Sequence, residues 1–141
     1  MPRLGAVEPS ELIGSWRFAR AIHDRSSDAD YDADGAAEFA ALVDGSVRWS
    51  ERGVLSWDGG STPVERTLFL VPRDGKWMVT FDDGREFHPW TARAVSHWCA
   101  PDSYSGVLSA RSGVTDAWSL TWTVEGPHKN YTMATTYRRA C

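Results

Sequence analysis

Taken two residues at a time, several segments of this chain set one charged side chain inside an otherwise apolar series. Trp16, Phe18, Arg20, Ile22 and Asp24 form one such series; Val47, Trp49, Glu51, Gly53, Leu55 and Trp57 form a second; Val64, Arg66, Leu68 and Leu70 form a third. In an extended strand alternate side chains share a face, so each series reads as a buried face carrying charge. An isolated buried charge is costly. Arg20, Glu51 and Arg66 therefore either neutralise one another in an ion-pair network or line a polar enclosure, where aromatic walls bury a ligand and a few fixed polar groups orient it.

Two further stretches, Phe81 to His88 and Ser96 to Tyr104, concentrate the remaining reactive residue types. On alternation His97 points inward with Val95 and Cys99, Tyr104 resumes the inward series with Gly106 and Leu108, and Asp102 lies at the turn between them. A histidine near a carboxylate, with a phenol on the next strand, is a minimal set for proton transfer near neutral pH. The expected catalytic set is His97 as base or acid, Asp102 orienting it, and Arg20 or Tyr104 stabilising developing negative charge. The chemistry would be isomerisation, cyclisation or elimination without a cofactor. Trp16, Trp49 and Trp77 are expected walls, and Asp24, Glu51, Arg66, His88, Tyr131 and Tyr137 further ligand contacts. Lys129, beside Gly126-Pro127, reads as a rim charge. The plainer reading of His97 is a hydrogen-bonded core residue.

No metal is expected. His97-x-Cys99 with His88 offers three zinc-type ligands without the paired short spacings of a structural site. Asp30-Tyr31-Asp32-Ala33-Asp34-Gly35 has the acidic alternation of a calcium loop, but Ala41 stands where a bidentate glutamate is wanted. Residues 28–34 read as a solvated acidic loop.

The elements that must position these groups are strands. Period-two segments punctuated by Gly or Pro predict strands over 14–24, 35–43, 46–57, 63–72, 76–82, 85–90, 94–99, 103–111, 116–125 and 129–139. Asp44-Gly45, Asp74-Gly75 and Asp83-Gly84 supply tight hairpin turns. Helix is confined to a short turn over Pro9 to Ile13, with a second candidate over Thr91 to Val95. The expected fold is all-β: a closed antiparallel up-and-down barrel of roughly 8–10 strands, because closure removes exposed edges. In the strand over 116–125, Trp118, Leu120, Trp122 and Val124 carry no charge among them and should be plain wall.

Composition agrees with one domain over 1–141. The chain has 141 residues, 42% hydrophobic and 24% charged, and its eight Trp are several times ordinary usage. Indoles of that number fill a core or line a pocket. A net charge of -4 with scattered Lys and Arg gives no basic field, so nucleic acid is not an expected partner. No apolar run could cross a membrane as a helix. No leader pattern opens the sequence, and the two cysteines, Cys99 and Cys141, suggest no disulfide framework, so a cytoplasmic setting is expected. The expected partner is a small organic molecule, with a homodimer admitted.

The order Gly14-x-Trp16-x-x-x-Arg20-x-Ile22-x-Asp24-Arg25, Phe81-x-Asp83-Gly84-Arg85-x-Phe87-His88, His97-x-Cys99-x-x-Asp102-x-Tyr104 and Trp122-x-Val124-x-Gly126-Pro127-x-Lys129-x-Tyr131 resembles an uncharacterised family of small bacterial and fungal barrel domains. That resemblance spans about residues 13 to 139 and implies one compact domain without naming a reaction. More loosely, the opening Gly-x-Trp strand is similar to calycin barrels: lipocalins, fatty-acid-binding proteins and nitrobindins. It implies a calycin-like pocket. Arg20, Asp24 and His97 depart from an apolar carrier lumen. The nitrobindin likeness implies a haem-binding alternative with His97 or His88 as axial ligand. A third alternative is a non-catalytic interaction module with a solid, side-chain-filled barrel.

Overall fold

A computed structural model describes residues 7–91, 95–99, 102–109 and 116–140, leaving aside the side chains of 95, 96, 98 and 99. A 3-10 turn over Pro9–Leu12 precedes ten strands: β1 (Gly14–Asp24), β2 (Ala29–Ala41), β3 (Val47–Trp57), β4 (Gly60–Arg73), β5 (Lys76–Phe81), β6 (Glu86–Pro89), β7 (Val95–Cys99), β8 (Asp102–Ser109), β9 (Ala117–Glu125) and β10 (Asn130–Arg139). The second helical turn expected over Thr91 to Val95 falls mostly outside the described residues. Among the described residues no helix is long and apolar enough to cross a membrane.

The strands form one antiparallel sheet in the order β6-β5-β4-β3-β2-β1-β10-β9-β8-β7. Except for β6 and β7, neighbours in sequence pair antiparallel; at Asp74-Gly75 both residues take positive φ (53° and 76°), as a tight type I′ connection requires. The first strand meets the last, Arg20 opposite Thr135 and Asp24 opposite Tyr131. The closed barrel is nevertheless corrected. Among the described residues no ladder joins β6 to β7, so the curled sheet is open along that seam. The physical reason is β6 itself: it is four residues long, and a register shift at Val79/Thr80 turns its backbone away from regular pairing. Aromatic rings face each other across the seam instead, Phe87 and His97 at 5.3 Å.

A second correction concerns the acidic loop. β2 begins at Ala29, so Asp30, Asp32 and Asp34 are successive outward positions of a strand, all exposed. Asp30 accepts a hydrogen bond from His23 on β1 (2.7 Å). Outward pleat positions diverge, and a calcium loop must fold its carboxylates inward.

One end of the barrel is filled. Trp16, Phe39, Trp49, Trp90, Trp118 and Tyr137 are buried there, with Trp118 stacked on Tyr137 at 3.9 Å and 7°. The 3-10 turn and the segment before it cover this end: Leu12 and Val7 are fully buried, and their carbonyls accept from the indoles of Trp16 (2.9 Å) and Trp90 (2.7 Å). Midway along β2 and β3, Gly35 faces Gly53. A Cβ on either would lie 2.2 or 2.1 Å from a carbonyl oxygen, so the sheet coils here by a close backbone approach that only glycine permits.

Candidate functional site

Above the aromatic plug the interior changes character. Glu51 on β3 is directly opposite Arg66 on β4, while Arg20 reaches the same point from β1. Glu51 Oε1 accepts from Arg20 Nη2 (2.7 Å) and Arg66 Nε (2.8 Å). Its Oε2 accepts from Trp49 Nε1 (3.0 Å) and from the Tyr137 hydroxyl. Arg20 Nε donates to Thr135 Oγ1 (2.8 Å), and its guanidinium lies over the Phe18 ring at 4.8 Å. Side-chain exposure is 9% for Arg20, 2% for Glu51 and 30% for Arg66.

The electrostatics follow from that geometry. Burial alone would raise the Glu51 carboxyl, but the charges of Arg66 and Arg20 outweigh it and hold the group at about 2. Burial and the Glu51 charge together push the Tyr137 phenol upward, so it stays a neutral donor. Two guanidinium cations thus share one carboxylate, leaving one net positive charge in the network. The carboxylate is saturated by four donors. No hydrogen bond from Nη1 of Arg20 or of Arg66 occupies a described protein acceptor.

Access to this charge comes from a notch in the wall. β4 pairs with β3 from Gly60 to Leu70, yet β5 joins it only from Leu68 opposite Phe81 onward. Arg66 sits just past that junction. A cavity of about 600 Å³ opens there, lined by Arg66, Leu68, Phe81, Phe87 and the Asp82 to Arg85 turn. That volume lies within the roughly 300–1,000 Å³ of small-molecule sites. Phe81 and Phe87 stack at 4.6 Å, and Phe87 stacks on Trp122 at 5.0 Å and 14°. Arg85 covers Phe81 at 5.2 Å and is held by Asp83 at 2.7 Å.

The open end carries a second polar group of residues. Register places Asp24, Tyr131, Val124, Tyr104 and His97 in one row across β1, β10, β9, β8 and β7. Lys129 Nζ donates to the Tyr104 hydroxyl (3.3 Å) and stands 3.6 Å from Asp102 Oδ2. Asp102 Oδ1 is buried against Gly126 with no hydrogen-bond partner. Burial, and then Tyr104, push the Tyr131 phenol upward. His97 packs by its ring against Tyr104 (5.9 Å), Phe87 and Phe81. Among the described residues no hydrogen bond joins His97 to Asp102, whose carboxylate faces Lys129.

The structure thus brings Arg20, Glu51, Arg66 and Tyr137 together, and separately Asp24, Tyr104, His97, Asp102 and Tyr131 at the open end. Trp16 and Trp49 lie in the filled end, where Trp49 serves the network through its indole donor and carries the Arg66 guanidinium over its ring at 5.3 Å. Trp77 is half-buried and donates to Glu8 Oε2 (2.9 Å), away from the cavity. His88 is 3% exposed; its Nδ1 lies 2.8 Å from the Pro89 carbonyl oxygen, and burial brings the ring down to about 4. The Cys99 side chain, one of the zinc candidates, lies outside the described residues. Among the described residues no three metal-ligating side chains gather to hold an ion.

Sequence reading missed Phe87, Phe81 and Thr135 as site residues. Thr135 shares its face with Tyr137, a signal that was present. Phe87 was hidden by the β6 irregularity: Thr80 pairs Glu86 and Val79 pairs His88, leaving Phe87 between them, so Phe87 and His88 both contact interior rings despite being adjacent.

Among solved structures, the chain is similar to the S-type phycobiliprotein lyase CPES from Guillardia theta, at 14% identity and a TM-score of 0.71, over 94% of this chain and 90% of that one. It is also similar to a de novo designed fluorescence-activating β-barrel (15% identity, TM-score 0.49, 94% and 96% covered). A redesigned β-barrel, mFAP1, bound to DFHBI, matches at 12% identity and TM-score 0.48, over 93% and 97%. At such identity the likeness to the lyase speaks to the fold alone. Among curated proteins no sequence matches the chain. Residues 12–139, nearly the whole of the described wall, match DUF6314, a family of unknown function, and the chain belongs to that family.

Proposed function

We propose that the protein is a small-molecule-binding barrel whose ligand is a partly polar organic anion, with its acidic or carbonyl group on Arg20 and Arg66 and its apolar body against Phe81 and Phe87. One observation carries the reading: two guanidinium groups share a single buried carboxylate, Nη1 of each meets no described protein acceptor, and one of the two, Arg66, lines the cavity. A structural ion pair needs only one cation per carboxylate; the second is an expense that an anionic ligand offsets. The experiment is a tryptophan-fluorescence or calorimetric screen of small aromatic and aliphatic carboxylates, with mass spectrometry of whatever co-purifies. Binding that falls at least tenfold in Arg66→Gln, while the variant remains folded, supports the proposal; unchanged binding in Arg66→Gln refutes it.

The finer part of the proposal is catalytic. His97, beside Tyr104 on the cavity side of the seam, moves a proton of the bound molecule, and Tyr104 or Arg20 stabilises the negative charge that develops. The reaction class is cofactor-independent isomerisation, cyclisation or elimination. In this arrangement Asp102 acts on Lys129, and Lys129 on the Tyr104 hydroxyl, instead of Asp102 orienting His97. Full turnover by His97→Ala on an identified substrate would exclude the histidine's role.

A second reading, haem binding, has one observation behind it: the Nδ1 contact of His88 leaves Nε2 as its free nitrogen, the arrangement usual for a ligating histidine. A haem titration that yields no Soret band removes it.

A further inference from the structure

The anion reading leaves one titratable group of the inner face unused. His88 pairs with inward-facing Val79, and its ring is wedged edge-on between Phe87 (4.7 Å) and Trp122 (5.0 Å). The Pro89 carbonyl can only accept, so the proton sits on Nδ1, which donates across 2.8 Å. Nε2 therefore presents a lone pair. No described residue donates to it. The residue is 3% exposed, and Phe87, the ring it packs against, lines the cavity. Desolvation, with the Arg66 charge and His97 adding to it, keeps the ring neutral down to a pH of about 4. A group so hard to protonate is a poor general base at neutral pH and a durable hydrogen-bond acceptor.

We infer that His88 Nε2 accepts a hydrogen bond from a hydroxyl or N–H of the same ligand whose acidic group sits on Arg20 and Arg66, so the ligand class is a small ring-bearing acid with a second, donor-bearing substituent. This rests on the anion reading above. It also sets specificity, because a buried acceptor left unmatched penalises the analogue that lacks the donor. A simple fatty acid satisfies the arginines and leaves Nε2 bare.

The test uses the full chain with benzoate and the three hydroxybenzoates as probes. Nitrogen-15 NMR of the histidine rings at pH 7 should show His88 protonated on Nδ1 with the lone pair on Nε2, and the Nε2 resonance should move with a hydroxybenzoate and stay with benzoate. Calorimetry should give at least one hydroxybenzoate a preference of roughly tenfold or more over benzoate. His88→Phe should abolish that preference and keep benzoate affinity; His88→Gln, which retains an acceptor, should restore part of it. A proton on Nε2, a haem Soret band, equal affinity for all four acids, or a preference surviving in folded His88→Phe overturns the assignment. If benzoate binds without any preference, the arginine site stands and only the His88 role falls. If none of the acids binds, both fall together.

Discussion

Replacing Glu51 with Gln keeps the shape of the side chain and removes the carboxylate that Arg20 and Arg66 share. The buried amide can still accept from one guanidinium, but it loses charge attraction to both, and its NH2 meets donors from Trp49 and Tyr137, which cannot accept equally. Breaking a buried ion pair by removing one partner costs about 3–5 kcal/mol. Against a total folding stability of roughly 5–15 kcal/mol, that is a large share. For a chain of this length, at roughly 3 °C per kcal/mol, the melting temperature should fall by about 10–15 °C. Thermal and urea denaturation followed by tryptophan fluorescence read this directly. The same variant exposes the second half of the argument. With the carboxylate neutralised, the network carries two net positive charges instead of one, so a small carboxylate should stabilise Glu51→Gln more than wild type, by up to about 2.7 kcal/mol at a hundredfold excess over its dissociation constant. A Glu51→Gln protein within 1 kcal/mol of wild type, with no added response to benzoate, would refute the reasoning.

Acid stability should decline in two stages. The His88 pKa lies below its unfolded value, so the unfolded chain takes up the proton first; stability is complete above about pH 6.5 and is lost as pH falls toward 4. Glu51 is likewise depressed, from 4.5 to about 2, and adds a second loss between those values; each stage is worth on the order of 3 kcal/mol, and His88→Gln should flatten only the upper one in a pH series of urea midpoints. Gly53→Ala should destabilise by at least about 2 kcal/mol in chemical denaturation, because its Cβ would meet the Asp34 carbonyl oxygen at 2.1 Å and the nearby Phe18 ring at 3.0 Å. Gly126→Ala should cost less, about 1 kcal/mol, since its obstacle is the Asp102 carboxylate, which can turn aside.

How much of this was legible can be traced through individual residues. Arg20, Glu51 and Arg66 were readable as inward because the pleat fixes a period of two. That Glu51 opposes Arg66 was also within reach: Asp58-Gly59 makes a two-residue hairpin between Trp57 and Gly60, and counting outward sets the register. That Arg20 joins them was not, since β2 lies between β1 and β3 and only the coiling of the sheet brings Arg20 to Glu51; its bond to Thr135 depends further on β1 meeting β10 across more than a hundred residues. Lys129 likewise reaches Tyr104 past an intervening strand, β9, which simple alternation does not reveal. Local register accounts for the Asp102 outcome: in the β7–β8 hairpin it opposes Cys99, two pairs nearer the turn than His97 with Tyr104. β2 was begun six residues late because aspartates are poor strand formers, and only the inward Tyr31 and Ala33 betrayed the alternation. Phe87 and the open seam escaped for a shared reason, because an irregularity in a four-residue strand breaks the very periodicity on which the reading relies.

The place of that seam has a kinetic consequence. Every strand pairing but β1 with β10 joins neighbours along the chain, so folding can zip hairpin by hairpin and must then wait for one long loop to close. A circular permutant, opened between β6 and β7 and linked from β10 to β1, would run in the very order of the sheet. Its contact order would drop and its rate-limiting search would vanish, while the arginine pair and its glutamate stayed where they are.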